Sequence, residues 1–313
     1  MLKVHVDTDI GGDIDDLCAL ALLLRSPGVV LTGVTTVAEN GGRRAGYARY
    51  VLDREGRKDV PVAAGADNAG GYYPYELGLP LEERYWPEPV APVINPLEEA
   101  IALLKNSLAQ GAVILGIGPL TNLALLEQRY PGSLADARYF QMGGYVYPTR
   151  PGYPAWDHTM DFNVQIDVRS SRLVLERAAP TFIPLSVTVE TALRRYHLPA
   201  LRRAGFLGGL IARQAETWIE DERIAAKWAT SCTALPDDII NFQHDPLAAA
   251  VAIGWGDGIA VEALPLSIGE QDGFVTESVD PAGRLMNVVT HVDGPCFDQA
   301  WLEQITSGSC RPG

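Results

Sequence analysis

A chain of 313 residues that is 47% hydrophobic can bury a large core, and its length lies within the range of a single α/β domain. Its formal net charge of −14 repels nucleic-acid backbones and anionic membrane surfaces, so neither is expected as a partner, whereas a small neutral or cationic molecule tolerates that field. No stretch approaches the ~20 apolar residues of a membrane span, the N-terminal run meets acids too soon for a cleavable signal, and Cys18, Cys232, Cys296 and Cys310 lack the spacing of structural zinc, so a soluble cytoplasmic protein is expected.

In chain order, Leu2–Val6 reads as a strand and Asp15–Arg25 as an apolar helix. Val29–Val37 reads as a buried strand, followed by a helix near Arg43–Leu52 and a short strand at Val60–Ala64. Pro96–Leu108 is an amphipathic helix, Ala112–Ile117 a strand and Leu120–Glu127 another helix. Tyr72–Pro92 and Tyr145–Thr159, rich in proline and aromatics, read as long loops, and loops of that length are usually functional or disordered. A helical region with one break spans Leu198–Trp228. The βαβα order predicts an α/β fold with a mostly parallel sheet, helices on both faces and an open Rossmann-like core. With no repeat or linker, residues 1–313 form one domain, and the ligand belongs at the carboxyl ends of the strands.

The segment VDTDIGGDIDDLCALALLL places Asp7, Asp9, Asp13, Asp15 and Asp16 between a strand and a helix. Like charges this close repel unless something neutralises them, and a hard cation with oxygen ligands does so. Gly11 and Gly12 let the backbone turn so that the carboxylates converge. A single aspartate here would be an ordinary helix cap; five need more explanation. An EF-hand is excluded because Cys18 stands where its bidentate glutamate belongs. A phosphatase with a strand-DxD start is a rival, although Gly11 stands where that pattern wants Thr or Val.

This loop resembles the amino-terminal signature of the inosine–uridine-preferring nucleoside hydrolases, DxDPGxDD followed by ALAL, with the loop two residues longer. Further family motifs follow in order: TTVAENGG around Asn40, VPVAAG at Val60–Gly65, GPLTN at Gly118–Asn122, MGG at Met142–Gly144, DFN at Asp161–Asn163 and HDPLA at His244–Ala248. Each is short; together, in order, they are specific. Three departures touch the substrate end: GGYYPYELGLP replaces a histidine-containing segment, Asp161 replaces a glutamate, and an asparagine shortly before it is absent, with Trp156 nearby.

The resemblance implies calcium-dependent hydrolysis of the N-glycosidic bond of a ribonucleoside, in the setting of nucleoside catabolism and salvage, by a homo-oligomer (a dimer or tetramer). It implies calcium ligation by the side chains of Asp9, Asp16 and Asp245 and by the Thr121 carbonyl, with Asp9 also the general base. Asp15, Asn40 and Asn163 would grip the ribose, Asp161 would face its 5′ side, Met142 and Trp156 would adjoin the substrate, and His244 would assist the leaving base. Tyr72, Tyr73, Tyr153 and Trp156 offer stacking surfaces for a purine. Asp7 is expected to support the loop, and Cys18 to be inert core. A non-catalytic calcium- or nucleoside-binding protein on this fold is the other alternative.

Overall fold

The structure, a computed structural model, describes residues 1–67 and 78–307. Strand β1 (Leu2–Thr8) is buried from Val4 onward, as a strand must be when it has neighbours on both edges and helices on both faces. Beyond it come β2 (Val29–Thr36), β3 (Val62–Ala64), β4 (Val113–Gly116), β5 (Tyr139–Met142) and β6 (Thr181–Ile183). A short ribbon, β7 (Ala192–Arg194) with β8 (Ile239–Phe242), stands apart. The chain then returns through β9 (Ile259–Gln271), β10 (Phe274–Val279) and β11 (Arg284–Val292). The main sheet has nine strands in the order β10-β9-β11-β6-β5-β4-β1-β2-β3.

The elements expected from the sequence are present, with ends shifted by small steps. The third strand begins at Val62 instead of Val60, since Pro61 has no N–H to contribute to a ladder. Residues 143–157 form neither helix nor strand, and the loop ends in a 3₁₀ turn at His158–Met160. Of the other expected loop, residues 78–92 carry only the short helix Glu82–Tyr85; Tyr72 and Tyr73 lie outside the described residues. The Leu198–Trp228 region breaks into Leu198–Leu201 and Gly205–Asp221, then a π-turn at Ala225–Ala229. The sequence reading left the antiparallel arm β9–β11 unassigned, and the arm extends the sheet beyond β6.

Alternate side chains of one strand reach opposite faces. Val113 and Leu115 of β4 accordingly join one core cluster, and Ile114 joins the other. Helix α1 (Asp15–Arg25) lies in the first cluster, buried continuously from Asp15 to Leu23. It packs along helix His244–Ala252, and both helices bury alanines in this cluster, Ala19 and Ala21 in one and Ala248–Ala250 in the other. This pairing brings the first turns of both helices, with their aspartates, to the same end of the sheet. No helix among the described residues is long and apolar enough to cross a membrane.

Candidate active site

From β1 the chain winds to β2 and β3 on one side; from β4 it winds to β5 and β6 on the other. Such a reversal opens a crevice at the strands' carboxyl ends. There Asp9 follows β1, Ile117 follows β4 and Met142 ends β5, and all three line a cleft of about 360 Å³. Gly11 makes the turn possible: its φ is +102°, and a Cβ there would lie 2.4 Å from the Tyr47 ring. Gly118 lets β4 approach, since its Cβ would sit 3.0 Å from both the amide and a carboxylate oxygen of Asp9.

One wall of the cleft is acidic. Asp15, Asp16 and Asp245 are buried, and one carboxylate oxygen from each lies within 4.8 Å of the others. The Asp245 amide donates to Asp15 at 3.3 Å, and the Thr8 hydroxyl donates to Asp16. Burial first, and then repulsion from neighbouring aspartates, pushes all three carboxyls well above the usual range. Asp9 is also raised by burial, and Arg44 opposes that shift. Asp13, in the lengthened loop, also lines the cleft and fastens the start of α1. It accepts from the Ile14 and Asp15 amides and from the Asn241 side chain, which in turn accepts from the Trp218 indole at 3.1 Å.

Beneath this wall a polar network joins the loops. The Asn122 amide donates to Asp7 and to the Thr36 carbonyl, both at 2.8 Å, and its oxygen accepts from the Ala66 amide at 2.9 Å. Asp7 is thus enclosed under the cleft, where burial raises it to about 7. Two residues assigned by resemblance do not line the cleft. Asn40 is exposed, its amide donating to Glu39 at 3.0 Å. Thr121 is buried, and its hydroxyl donates to Asp167 at 2.8 Å.

The rest of the lining is largely apolar, built from Trp156, Met160, Phe162 and Leu185 with Met142. Trp156 packs edge-on against Trp228 and Phe242, at ring-centre distances of 5.5 and 5.2 Å, and lies 6.4 Å from the His244 ring. Tyr153 packs against the core and is not part of the lining. His244 sits where the walls meet. Its Nδ1 is 2.7 Å from the Thr188 hydroxyl, and burial lowers it to about 4, so the ring is neutral near pH 7. Asp161 accepts from the Gly144 and Val164 amides, and burial raises it to about 6. Asn163 donates to the Met142 carbonyl at 3.2 Å. Behind Asp161, Glu277 of β10 accepts from the Tyr145 amide at 3.2 Å, while its other oxygen has no hydrogen-bond partner among the described residues. Burial first, then Asp161, raises Glu277 to about 8.

Sequence reasoning missed Arg44, Met160, Phe162, Leu185 and Glu277 as residues at or behind the site. Phe162 lay within a motif already singled out; the others carried no local signal.

The donor set fits a hard divalent cation. Three buried carboxylates converge without a thiol or imidazole among them, and burial together with their mutual repulsion disfavours the ionised forms unless positive charge lies near. The phosphatase rival finds no support in the cleft, where Arg44 is the only lining guanidinium among the described residues and is tied to backbone carbonyls.

The site is thus a switch-point crevice of an α/β sheet, with a carboxylate cluster and a largely apolar remainder. The chain belongs to the inosine-uridine preferring nucleoside hydrolase family, whose model matches residues 4–299, and it is therefore a member of a family of N-glycosyl hydrolases. It is 29% identical over 271 residues to the pyrimidine-specific ribonucleoside hydrolase RihA of Salmonella choleraesuis, covering 81% of this chain and 79% of that one. Among solved structures it is similar to the purine-preferring ribonucleoside hydrolase from Gardnerella vaginalis, with a TM-score of 0.77 at 21% identity over 98% of this chain and 99% of that one. A plant nucleoside hydrolase, PpNRh1, gives the same TM-score and coverages at 18% identity.

Proposed function

We propose that this protein hydrolyses the N-glycosidic bond of ribonucleosides to free base and ribose, with calcium held in the acidic wall. The observation that carries this reading is the convergence of Asp15, Asp16 and Asp245 within 4.8 Å in a cleft otherwise lined largely by aromatic and aliphatic side chains. A ribosyl C–N bond breaks through an oxocarbenium-like state, so the site must offer negative charge to the sugar and an apolar, hydrogen-bonding environment to the base.

Asp16 and Asp245, with Asp9 and the Thr121 carbonyl, are the proposed ligands. Calcium there supplies charge and a fixed geometry for a diol, but it acidifies water far less than zinc does. A carboxylate must therefore still take the proton from the attacking water, and Asp9 is the proposed general base. Asp15 holds ribose hydroxyls, with Asn163, Asp161 and Asn40 as further contacts on the sugar. Trp156 and Met142 adjoin the base. His244, neutral at pH 7, offers the departing base one ring N–H. The relatives' names span pyrimidine-specific and purine-preferring enzymes, so the base is left open.

The test is a panel of purine and pyrimidine ribonucleosides assayed for free ribose, with added calcium and with chelator. Release that chelation abolishes and calcium restores is expected. Tight nucleoside binding without release would support the non-catalytic alternative, and full activity after exhaustive chelation would sink the calcium assignment.

A further inference from the structure

Helix α2 (Arg43–Arg54) presents Arg44 and Tyr47 on one face, three residues apart, toward the loop between β1 and α1. Tyr47 abuts Gly11 and stacks on Trp86, with ring centres 4.4 Å apart. Arg44 is only 2% exposed, although it carries a full charge and lines the cleft. Its Nε donates to the Ala38 carbonyl at 2.7 Å, and one terminal nitrogen donates to the Asp9 carbonyl and, at 3.3 Å, to that of Ile10. None of these partners is a carboxylate. Burying an unpaired guanidinium is expensive unless nearby negative charge repays it. Acidic groups share its cleft: Arg44 lines it together with Asp9, Asp13, Asp15 and Asp16 and is bonded to the backbone of Asp9 itself.

We propose that Arg44 is the resident counter-ion of the acidic wall: it holds the Asp9–Gly12 turn and offsets the carboxylates when no cation is bound. This rests on the reading that a divalent cation occupies the wall. Arg44 is a positioning residue, acting through the loop and through the charge balance of the cluster. It also has a corollary. A positive charge beside the cluster stabilises the cation-free state more than the loaded one, so removing it makes folding more dependent on calcium.

The experiment compares the parent protein, Arg44→Lys and Arg44→Met, each with calcium chloride and with chelator, by thermal unfolding and by amide hydrogen exchange over residues 9–13. Lysine keeps the charge but loses the planar fork; methionine loses both. The expected Tm loss of Arg44→Met is at least about twofold larger in chelator than in calcium. Its loop amides should exchange at least about tenfold faster than the parent's in chelator, with much of that protection restored by calcium. Arg44→Lys should stay close to the parent in both conditions. Equal losses for Arg44→Met with and without calcium would overturn the proposal, and so would equal damage from lysine and methionine. If methionine prevents folding, the lysine variant and the parent's loop protection in chelator decide: a parent loop that exchanges at unfolded rates without calcium also overturns it. A parent indifferent to calcium would defeat the cation reading of the wall, while the lysine–methionine contrast in chelator would still decide the role of the charge.

Discussion

Part of the cleft lining is acidic, with Asp9, Asp13, Asp15, Asp16 and Asp245 and one guanidinium, that of Arg44; the rest, with Trp156, Met160, Phe162 and Leu185, presents rings and aliphatic surface. The first wall is built from the starts of two helices and one turn, all fixed by the sheet and by the α1 pairing with helix His244–Ala252. The second is carried by the long loop after β5 and the short helices beyond it. The difference is one of chemistry as well as support. An acidic wall gains from a cation and from positive charge on a bound sugar. An apolar wall excludes water and strengthens the electrostatics beside it. On the proposed reading, reaction type resides in the rigid wall and base preference in the loop-borne one.

The sharpest way to break this division is to delete the group that the acidic wall is proposed to hold. A site built around a hydroxyl leaves buried polar groups unpaired when that hydroxyl is missing, which costs about 10⁴-fold in discrimination. Deoxyuridine is thus expected to show a specificity constant about 10⁴-fold below that of uridine. Equal constants would mean that the ribose diol lies elsewhere. Next in size is Asp9→Asn, which preserves shape while removing a proton acceptor and one charge. Turnover should fall by about 10²–10⁴-fold with the fold intact, as measured by steady-state kinetics and circular dichroism. A loss within about tenfold, with metal still bound, contradicts the general-base assignment.

At the junction of the walls, His244→Ala asks which one the histidine serves. If its N–H assists departure of the base, turnover on inosine or uridine should drop by about 10²-fold, and turnover on p-nitrophenyl riboside, whose leaving group needs no proton, should change little. Equal losses on both substrates would make His244 part of the pocket's shape, consistent with its packing against Phe242 at 5.4 Å.

The two walls also differed in how much of them could be read from the sequence. The parallel half announces itself through buried β-branched runs such as Val29–Val37, and its acidic loop through a charge density that no helix or strand tolerates unaided. The convergence of Asp245 with Asp15 and Asp16 depends on helix pairing across 229 or more residues of chain and was reached only through the family motifs. Arg44 carried no signal, because Arg43 beside it is half-exposed and only the helical phase separates the two. The arm β9–β11 was missed for a different reason. Much of β9 is exposed or only partly buried, so it lacks the continuous apolar run of a central strand and the clean alternation of a half-buried one. Nothing in the local sequence FVTESV singles out Glu277 on that arm.

Glu277 provides the finest comparison, because it is a buried acid outside the acidic cluster, with Asp161 as its charged neighbour. Its carboxyl is raised from an ordinary 4.5 to about 8, chiefly by burial and then by Asp161. A carboxyl raised on folding binds its proton more tightly in the native state, so stability falls as pH rises between those two values. The cost is absent below about pH 4.5 and complete above about pH 8, where an ionised Glu277 faces Asp161 with one oxygen lacking a hydrogen bond among the described residues. Glu277→Gln keeps the shape and an acceptor for the Tyr145 amide while removing the ionisation. Its Tm should match the parent's near pH 5 and exceed it by several degrees near pH 9, since each pKa unit corresponds to about 1.4 kcal/mol. Calcium or chelator should leave this gain unchanged, in contrast to the calcium-dependent response expected of Arg44→Met. A Tm difference that is the same at both pH values would mean that Glu277 does not ionise within that range, and a gain that disappears on adding calcium would mean that the two walls share one charge balance.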